Sequence, residues 1–346
     1  MKIPYPAGGD PGRVSEFTWV FHSSRSAGAF AVGHLPLFRS VSERCDPMAF
    51  LSNLINGLSL GSVYAIIALG YTMVYGIAKM LNFAHGDVIM VGAYIAFLVI
   101  QGMNSTLGVF TPICAVLASM IVCTLLGIII ERLAYKPLRQ AASLAVLITA
   151  IGMSYLLQNL AQLIWGANPK SFTSILNGLS SIKLAGGDLI IRWETIVTVL
   201  ANIIIMVGLT WFTQRTKMGR AMRAVSEDKG AAELMGINVN FTISMTFAIG
   251  SALAAIAGVL LCSSYPNLMP TTGSMPGIKA FTAAVFGGIG SIPGALLGGI
   301  LLGVIEIFGK AYISTELGDA IVFAVLIIVL LVKPSGLLGK QIREKV

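Results

Sequence analysis

Polar residues set in apolar surroundings are the ones in this chain whose types and spacing are suited to chemistry. The segment LNFAHGD, between two apolar runs, holds Asn82, His85 and Asp87. A histidine two residues from an aspartate is a pattern for a proton relay or for two metal ligands, but two ligands are too few for a metal site. The pattern favours a structural interpretation, in which Asn82 or Asp87 caps the next helix and His85 satisfies a loop carbonyl.

Glu306, in LLGVIEIFGK, is the only acidic residue deep in an apolar run. A carboxylate at such a position is by default a candidate for function on a transport path. Lys310 follows four residues later, on the same face of a helix, and can pair with it. A structural ion pair and a pathway residue both remain open.

Pro293 lies in FGGIGSIPGALLGG, in the middle of the apolar run 278–311. Proline cannot donate to a helical ladder and the surrounding glycines loosen it, so the run is expected to break here. A discontinuous helix at membrane depth would indicate a transport path. A plain turn between two helices is the alternative.

Motifs of catalysis are missing from the sequence. It contains no GxSxG, HExxH or Walker pattern, and its four cysteines show no CxxC or metal-type spacing. Cys114, Cys123 and Cys262 lie in apolar runs and are expected to be buried small hydrophobes. We therefore expect no enzyme activity, no cofactor and no bound metal in this chain.

Composition places the chain in the membrane. Apolar residues make up 56% of it and charged residues 11%, and the mean hydropathy is +0.85. A soluble protein needs far more charge to cover its surface, so this is a polytopic membrane protein in a lipid bilayer. The net charge of +8 comes from basic residues in short loops and at the ends, as the positive-inside rule predicts. Nucleic acid is not an expected partner.

Membrane elements are predicted from the apolar runs with few or no charges, at 50–77, 86–102, 109–131, 142–166, 194–213, 241–264, 278–311 and 316–332. The fold class expected is all-α, with about eight to ten membrane helices and at least one broken helix. The polar segment 169–192 has a hairpin-like pattern and by alternation lies outside. Residues 1–47 lack such runs, and we interpret them as a disordered or spurious leader. A single permease domain is expected over 48–346, with Met48 as its natural start.

A charged island, Gln214–Asn240, separates two membrane-length apolar runs. It is basic, and short basic loops stay on the cytoplasmic face. Within it we predict a small helix with Ser226 as N-cap, Glu227 and Asp228 in the first turn and Gly236 in the left-handed position at the end. One apolar stripe is expected along this helix, formed by Ala231, Leu234 and Met235. A short amphipathic helix at a membrane face is suited to being gripped by another protein.

Transport is the function class that these features favour. A protein that moves solutes without a nucleotide site is a channel, an ion-coupled carrier, or the membrane half of a machine powered by another subunit. Ion-coupled carriers usually place ionisable groups on several helices, and only a powered permease needs a conspicuous docking helix. The order of preference is therefore powered permease, carrier, channel.

Several segments resemble the high-affinity branched-chain amino-acid ABC transporter permeases of the LivH type. They follow the family's order from Met48 to the end of the chain. These segments are INGLSLGSVYAIIALGYTMVYGIAKMLNFAHGDVIMVGAY (Ile55–Tyr94), ERLAYKPLR (Glu131–Arg139), GRAMRAVSEDKGAAELMGINV (Gly219–Val239), FGGIGSIPGALLGGILLGVIE (Phe286–Glu306) and KPSGLLG (Lys333–Gly339).

This resemblance implies an importer in the bacterial inner membrane. Its expected partners are two ABC ATPase subunits, which would hydrolyse the ATP, a second related permease and a periplasmic binding protein. The solutes implied are branched-chain amino acids, although related permeases carry urea or short amides, and a stand-alone secondary carrier is the rival from another class. The segment that seats in the ATPase would include Gly219, Arg220, Arg223, Ser226, Glu227, Asp228, Ala231, Ala232, Leu234, Met235 and Gly236.

Overall fold

Helices dominate the structure because backbone groups in lipid must find their hydrogen-bond partners within their own element. The computed structural model describes residues 47–103, 110–176, 181–184 and 189–339. Within these ranges the α-helices are α1 (Pro47–Ala78), α2 (His85–Met103), α3 (Thr111–Ile130), α4 (Ser143–Trp165), α5 (Trp193–Arg215), α6 (Lys217–Glu227), α7 (Lys229–Leu234), α8 (Val239–Ser264), α9 (Ser274–Gly287), α10 (Ile292–Tyr312) and α11 (Gly318–Val332). The predicted leader 1–47 lies outside the described residues except for Pro47.

Seven of the described helices are long and apolar enough to cross a membrane. They are α1 to α5, α8 and α10, with α3 continuing into a π-helical turn, Glu131–Tyr135. The eighth predicted element corresponds to α11, which has 15 residues. The prediction of an all-α polytopic membrane protein is confirmed.

Two helices form the centre of the molecule. In the most apolar 18-residue stretch of α1, 89% of the residues are buried, and in that of α8, 78%. The corresponding share is only 22% in α4 and in α5. Because α4 and α5 present apolar side chains outwards, their outer faces are suited to lipid or to another subunit.

Small residues let α1 and α10 approach until their backbones touch. A Cβ added to Gly61 would lie 2.7 Å from the carbonyl oxygen of Ile300, and one added to Gly57 would lie 2.9 Å from the Cα of Val304. Gly299 and Gly303 meet the same face of α1. Such contacts replace the hydrophobic driving force that helices lack in lipid.

The apolar run 278–311 is broken in the structure, as predicted. Gly288 and Gly290 have φ values of +104° and +92°, which glycine adopts without strain. Ser291 caps α10 by accepting a hydrogen bond from the Gly294 amide at 3.2 Å. Pro293 lies in the first turn of α10, where its missing N–H costs nothing.

The two halves of this run fold back on one another. Gly287, at the end of α9, packs against Gly294 at the start of α10, and Lys279 reaches Glu306 near the other end. Helices α9 and α10 therefore form an antiparallel hairpin, so of the two interpretations left open the interhelical turn is the correct one. With 14 residues, α9 is about 21 Å long and does not by itself cross a hydrocarbon core of ~30 Å.

In the part of the chain that the structure describes, four short strands lie outside the helices: β1 (Lys170–Ser171), β2 (Ile182–Leu184), β3 (Leu189–Ile191) and β4 (Asn267–Leu268). Strands β2 and β3 pair antiparallel with Ile182 opposite Ile191, which confirms the predicted hairpin. Strand β1 pairs antiparallel with β4, with Lys170 opposite Leu268. The segment 169–192 is thereby attached to the loop that follows α8.

Candidate functional site

The loop 214–240 folds into two helices, not one. A sharp corner at Thr216 separates α5 from α6, and the Thr216 hydroxyl accepts a hydrogen bond from the Gly219 amide at 3.0 Å. Gly219 packs on the backbone of Thr213 at the end of α5, and a Cβ there would lie 2.5 Å from the Cα of Thr213. Helix α6 buries Met222 and Val225. It exposes Arg220 and Arg223.

The predicted N-cap of the small helix is wrong. Ser226 and Glu227 form the end of α6, and the Ser226 hydroxyl donates to the Arg223 carbonyl at 2.7 Å. A serine inside a helix commonly makes such a bond to the preceding turn, so it is not available as a cap. Asp228 caps α7 in its place, since one carboxylate oxygen accepts from the amides of Gly230 at 2.8 Å and Ala231 at 3.1 Å.

The predicted end of the helix is confirmed. Gly236 has a φ of +77°, and its amide donates to the Glu233 carbonyl at 3.0 Å. The amide of Ile237 donates to the Ala232 carbonyl, also at 3.0 Å. This pair of bonds is a Schellman motif, which satisfies carbonyls that a helix end leaves free. Helix α7 is therefore a short, rigid element with caps at both ends.

Large apolar side chains are exposed to solvent at the end of α7. Leu234 is 90% exposed and Met235 is 81% exposed, and Ala231 is exposed beside them. Ala232, which was grouped with them from the sequence, differs because it is buried within this chain. An exposed pair of large apolar residues next to charged loop residues is typical of a surface that another protein covers.

Lys229, the first residue of α7, attaches this helix to the membrane part of the chain. Its ammonium donates to the carbonyl of Ala78, the last residue of α1, at 3.2 Å. Desolvation, together with the positive charges of Arg139 and Lys79, lowers the pKa of Lys229 from its ordinary value. This hydrogen bond joins α7 to the end of α1.

Asn82, His85 and Asp87 do not form a common site. The Asn82 side chain accepts a hydrogen bond from the Tyr135 hydroxyl at 2.9 Å, and its backbone carbonyl accepts from the His85 amide at 3.2 Å. Asp87 accepts from the Gln158 amide group on α4 at 2.9 Å. Neither Asn82 nor Asp87 is at the N-cap position of α2, because this helix begins at His85.

The His85 ring faces α1. It packs edge-on against the Tyr71 ring, with 4.6 Å between the ring centroids, and it lies over Gly70. The expectation that it satisfies a loop carbonyl is wrong for this reason. Among the described residues no three His, Cys, Asp or Glu side chains come together as a metal site would need.

Glu306 is the centre of a buried ionic cluster. Its carboxylate is 1% exposed and receives Lys279 at 2.8 Å, Lys310 at 2.5 Å and the Tyr64 hydroxyl at 2.9 Å. Lys279 also contacts the carboxylate of Asp319 at 2.6 Å. The predicted Lys310 pair is confirmed. Lys279 was missed because its partners are distant in the sequence, and it joins α9 to both α10 and α11.

A second ionic cluster lies beside the loop 214–240. Glu131 is fully buried at the junction of α3 with its π-helical turn. It accepts hydrogen bonds from the Arg139 guanidinium and, at 2.6 Å, from the Ser244 hydroxyl. Arg139 also donates to the Asn240 side chain at 2.5 Å. This cluster was not predicted, although a lone acidic residue at the end of an apolar run was a signal for it.

Comparison with known proteins identifies the family. The family model described as "Branched-chain amino acid transport system / permease component" matches residues 53–330. The chain belongs to this family. It is therefore a multi-pass membrane protein and the permease component of a transport system, and the resemblance to LivH-type permeases stated from the sequence is confirmed.

Relatives match over nearly their whole length. The chain is 47% identical to the high-affinity branched-chain amino acid transport system permease protein BraD of Pseudomonas aeruginosa, across 86% of this chain and 98% of that protein. It is 46% identical to the LivH protein of the same description from Escherichia coli K12, with the same coverage. A chain of the solved structure "PsaBC from Streptococcus pneumoniae in complex with Fab" matches 86% of this chain and 97% of its own length, at 14% identity and a TM-score of 0.46.

Proposed function

We propose that this chain is the inner-membrane permease subunit of an ATP-binding-cassette importer for branched-chain amino acids. The observation that carries the proposal is α7, a helix capped at both ends that exposes Leu234 and Met235. The solute class is taken from BraD and LivH, whose names state branched-chain amino acid transport. Urea or a short amide is the alternative solute.

The energy must come from outside this chain, because its sequence has no Walker motif. We propose two ATPase subunits on the cytoplasmic side, each offering a cleft to one permease. A second, related permease would complete the pore, and a periplasmic binding protein would deliver the solute. The whole span 48–346 acts as one permease domain in this proposal, with 214–240 as its coupling loop.

Movement of α7 is the proposed link between ATP hydrolysis and transport. Closure of the ATPases would displace α7, and the caps at Asp228 and Gly236 keep it from fraying under this load. Lys229 connects it to the end of α1, and a short link of four residues, 235–238, connects it to α8. Since α1 and α8 are the most buried helices, a push on α7 reaches the centre of the molecule.

The test replaces an exposed alanine of α7 by glutamate. Ala231→Glu would place an unpaired carboxylate in the ATPase cleft, at a cost of about 3 kcal/mol or more, which is more than ~100-fold in affinity. Ala167→Glu is the matched control, because Ala167 is equally an exposed alanine, in the loop between α4 and β1. Co-purification of the ATPases and uptake of labelled leucine are measured for both variants.

We expect Ala231→Glu to lose the ATPases and uptake while Ala167→Glu retains both. The purified Ala231→Glu permease should keep its melting temperature, since the residue lies outside the packed helices. Retention of both ATPases and uptake would contradict the role of α7. Uptake that continues without ATPases and collapses with the proton gradient would identify a secondary carrier, and uptake of urea in place of leucine would correct the solute.

A further inference from the structure

The cluster of Glu131, Arg139, Asn240 and Ser244, called the brace below, joins two parts of the chain that are far apart in sequence. Glu131 and Arg139 lie in the segment 131–142 between α3 and α4, whereas Asn240 and Ser244 lie in the first two turns of α8. The carboxylate holds Ser244 and the guanidinium holds Asn240. One ion pair thus fastens segment 131–139 to two successive turns of α8.

Glu131 continues the buried face of α3, four residues after the buried Gly127, and a π-helical turn begins at it. The amide of Lys136 donates to the Glu131 carbonyl at 2.7 Å, a bond that spans one residue more than in an α-helix. The extra residue turns the end of α3, and such π-turns are frequent at functional sites. Glu131 is fully buried, and only 14% of the Arg139 side chain is exposed.

Stability is a poor explanation for this buried pair. Two well-packed apolar side chains of similar volume stabilise a protein as well as a buried ion pair or better. Separating the charges, however, leaves each one buried without a partner, which is strongly unfavourable. The brace is therefore a connection that resists being pulled apart, while plain apolar packing allows helices to slide.

The brace holds the first two turns of α8, the helix that follows α7 in the chain. Helix α7 ends at Leu234, and α8 begins at Val239 with Asn240 as its second residue. A displacement of α7 therefore arrives first at the turn of α8 that Arg139 holds. Segment 131–139 directly follows α3 in the chain and is joined to α4 by residues 140–142.

We propose that the brace makes segment 131–139 and the first two turns of α8 move as one body, so that a push on α7 reaches α3 and α4 as well as α8. In this proposal Arg139 is a positioning residue for coupling, not a residue that touches the solute or the ATPase. The proposal rests on the proposed function, because it presupposes that ATPases act on α7. It adds two peripheral helices to the moving part of the permease.

Two variants test the brace in the complete transporter, reconstituted in proteoliposomes. Glu131→Gln with Arg139→Met removes both charges at nearly constant volume. Asn240→Ala leaves the ion pair intact and removes only its bond to the first turn of α8, so it remains informative if the double variant fails to assemble. The solute imported per ATP hydrolysed is expected to fall by about fivefold or more in the double variant, the lower end of common coupling factors, and by less in Asn240→Ala. Basal ATP hydrolysis and ATPase binding should stay unchanged.

A distance measurement separates this role from a merely structural one. Spin labels are placed in a cysteine-free background at Leu133, which is 72% exposed, or at Phe241, which is 55% exposed. Each is paired with a label at Leu331, which is 81% exposed on α11, a helix outside the proposed moving part. In the wild type, ATP should change both distances. In the double variant, the ATP-dependent change in distance should be lost for the label at Leu133 and kept for the label at Phe241. In Asn240→Ala, the change at Leu133 should be reduced but not lost.

The outcomes distinguish the two proposals. Absence of ATPase binding or of ATP-dependent uptake in the wild type would overturn the proposed function itself. A wild type that couples normally, beside variants that keep both the solute imported per ATP and the ATP-dependent change at Leu133, would overturn the brace alone.

Discussion

Lys279 provides a quantitative test of the buried ionic cluster. Its ammonium lies between two carboxylates, 2.8 Å from Glu306 and 2.6 Å from Asp319. The variant Lys279→Met keeps most of the side-chain volume and removes the charge. Glu306 is then left in the core with Lys310 as its remaining cation, whereas Asp319, 44% exposed at its side chain, becomes solvated at little cost.

The expected loss follows from the burial of the partners. Removing one member of a buried pair costs about 3–5 kcal/mol, and the remaining Lys310 places this case at the lower end, about 3 kcal/mol. At roughly 2 °C per kcal/mol for a chain of this size, the melting temperature should fall by about 6 °C. Lys310→Met is the matched control. The Lys310 side chain is 32% exposed, and Lys310→Met leaves the more deeply buried Lys279 in place. We therefore expect this variant to lose only about 1 kcal/mol of folding stability.

A third variant checks the cause. Lys279→Met combined with Glu306→Gln removes both buried charges and should recover most of the lost stability, because a buried pair replaced as a whole is close to neutral. Melting temperatures of the purified permease are compared under one set of conditions. If the melting temperature of Lys279→Met is no lower than that of Lys310→Met, or if the double replacement recovers none of the lost stability, Lys279 is not the cation that stabilises buried Glu306.

Two further predictions concern packing and capping. Gly61→Leu should lower the melting temperature by the equivalent of about 1–3 kcal/mol, because a Cβ at Gly61 would lie 2.7 Å from the Ile300 carbonyl oxygen. The control Gly152→Leu should leave the melting temperature unchanged, since nothing lies within 4 Å of a Cβ at Gly152. Equal losses of stability in the two variants would contradict the close contact of α1 with α10. Asp228→Ala should destabilise α7 by about 1 kcal/mol and speed hydrogen exchange at the Ala231 amide, while Ser226→Ala should not, and the reverse order would restore the N-cap predicted from the sequence.

The membrane elements were predictable because a charge-free run of sufficient length has one stable structure in lipid. The break before Pro293 was predictable for the same reason, since proline and glycine act locally. The direction of α10 after the break was not, because it depends on the packing of Gly287 against Gly294 and not on the break itself. Local chemistry also located the end of α7 at Gly236, whereas its start was misplaced because Ser226 was judged without the preceding helix.

Partners distant in sequence account for what was missed. Glu306 was recognised as unusual, yet its main bridging partner Lys279 lies 27 residues before it, and the second partner of Lys279, Asp319, lies 40 residues after Lys279. Likewise Glu131 finds Ser244 across 113 residues. Pairing of this kind follows from how the helices pack, and one sequence read along its length carries no signal for it.

The proposed contact between α7 and an ATPase can be tested by crosslinking in membranes. A photoreactive amino acid replaces Leu234 in the assembled transporter, and the control replaces Ile204, which is 69% exposed on α5. We expect illumination to attach the permease to an ATPase subunit from position 234 and not from position 204. No ATPase product from position 234, or equal yields from both positions, would contradict it.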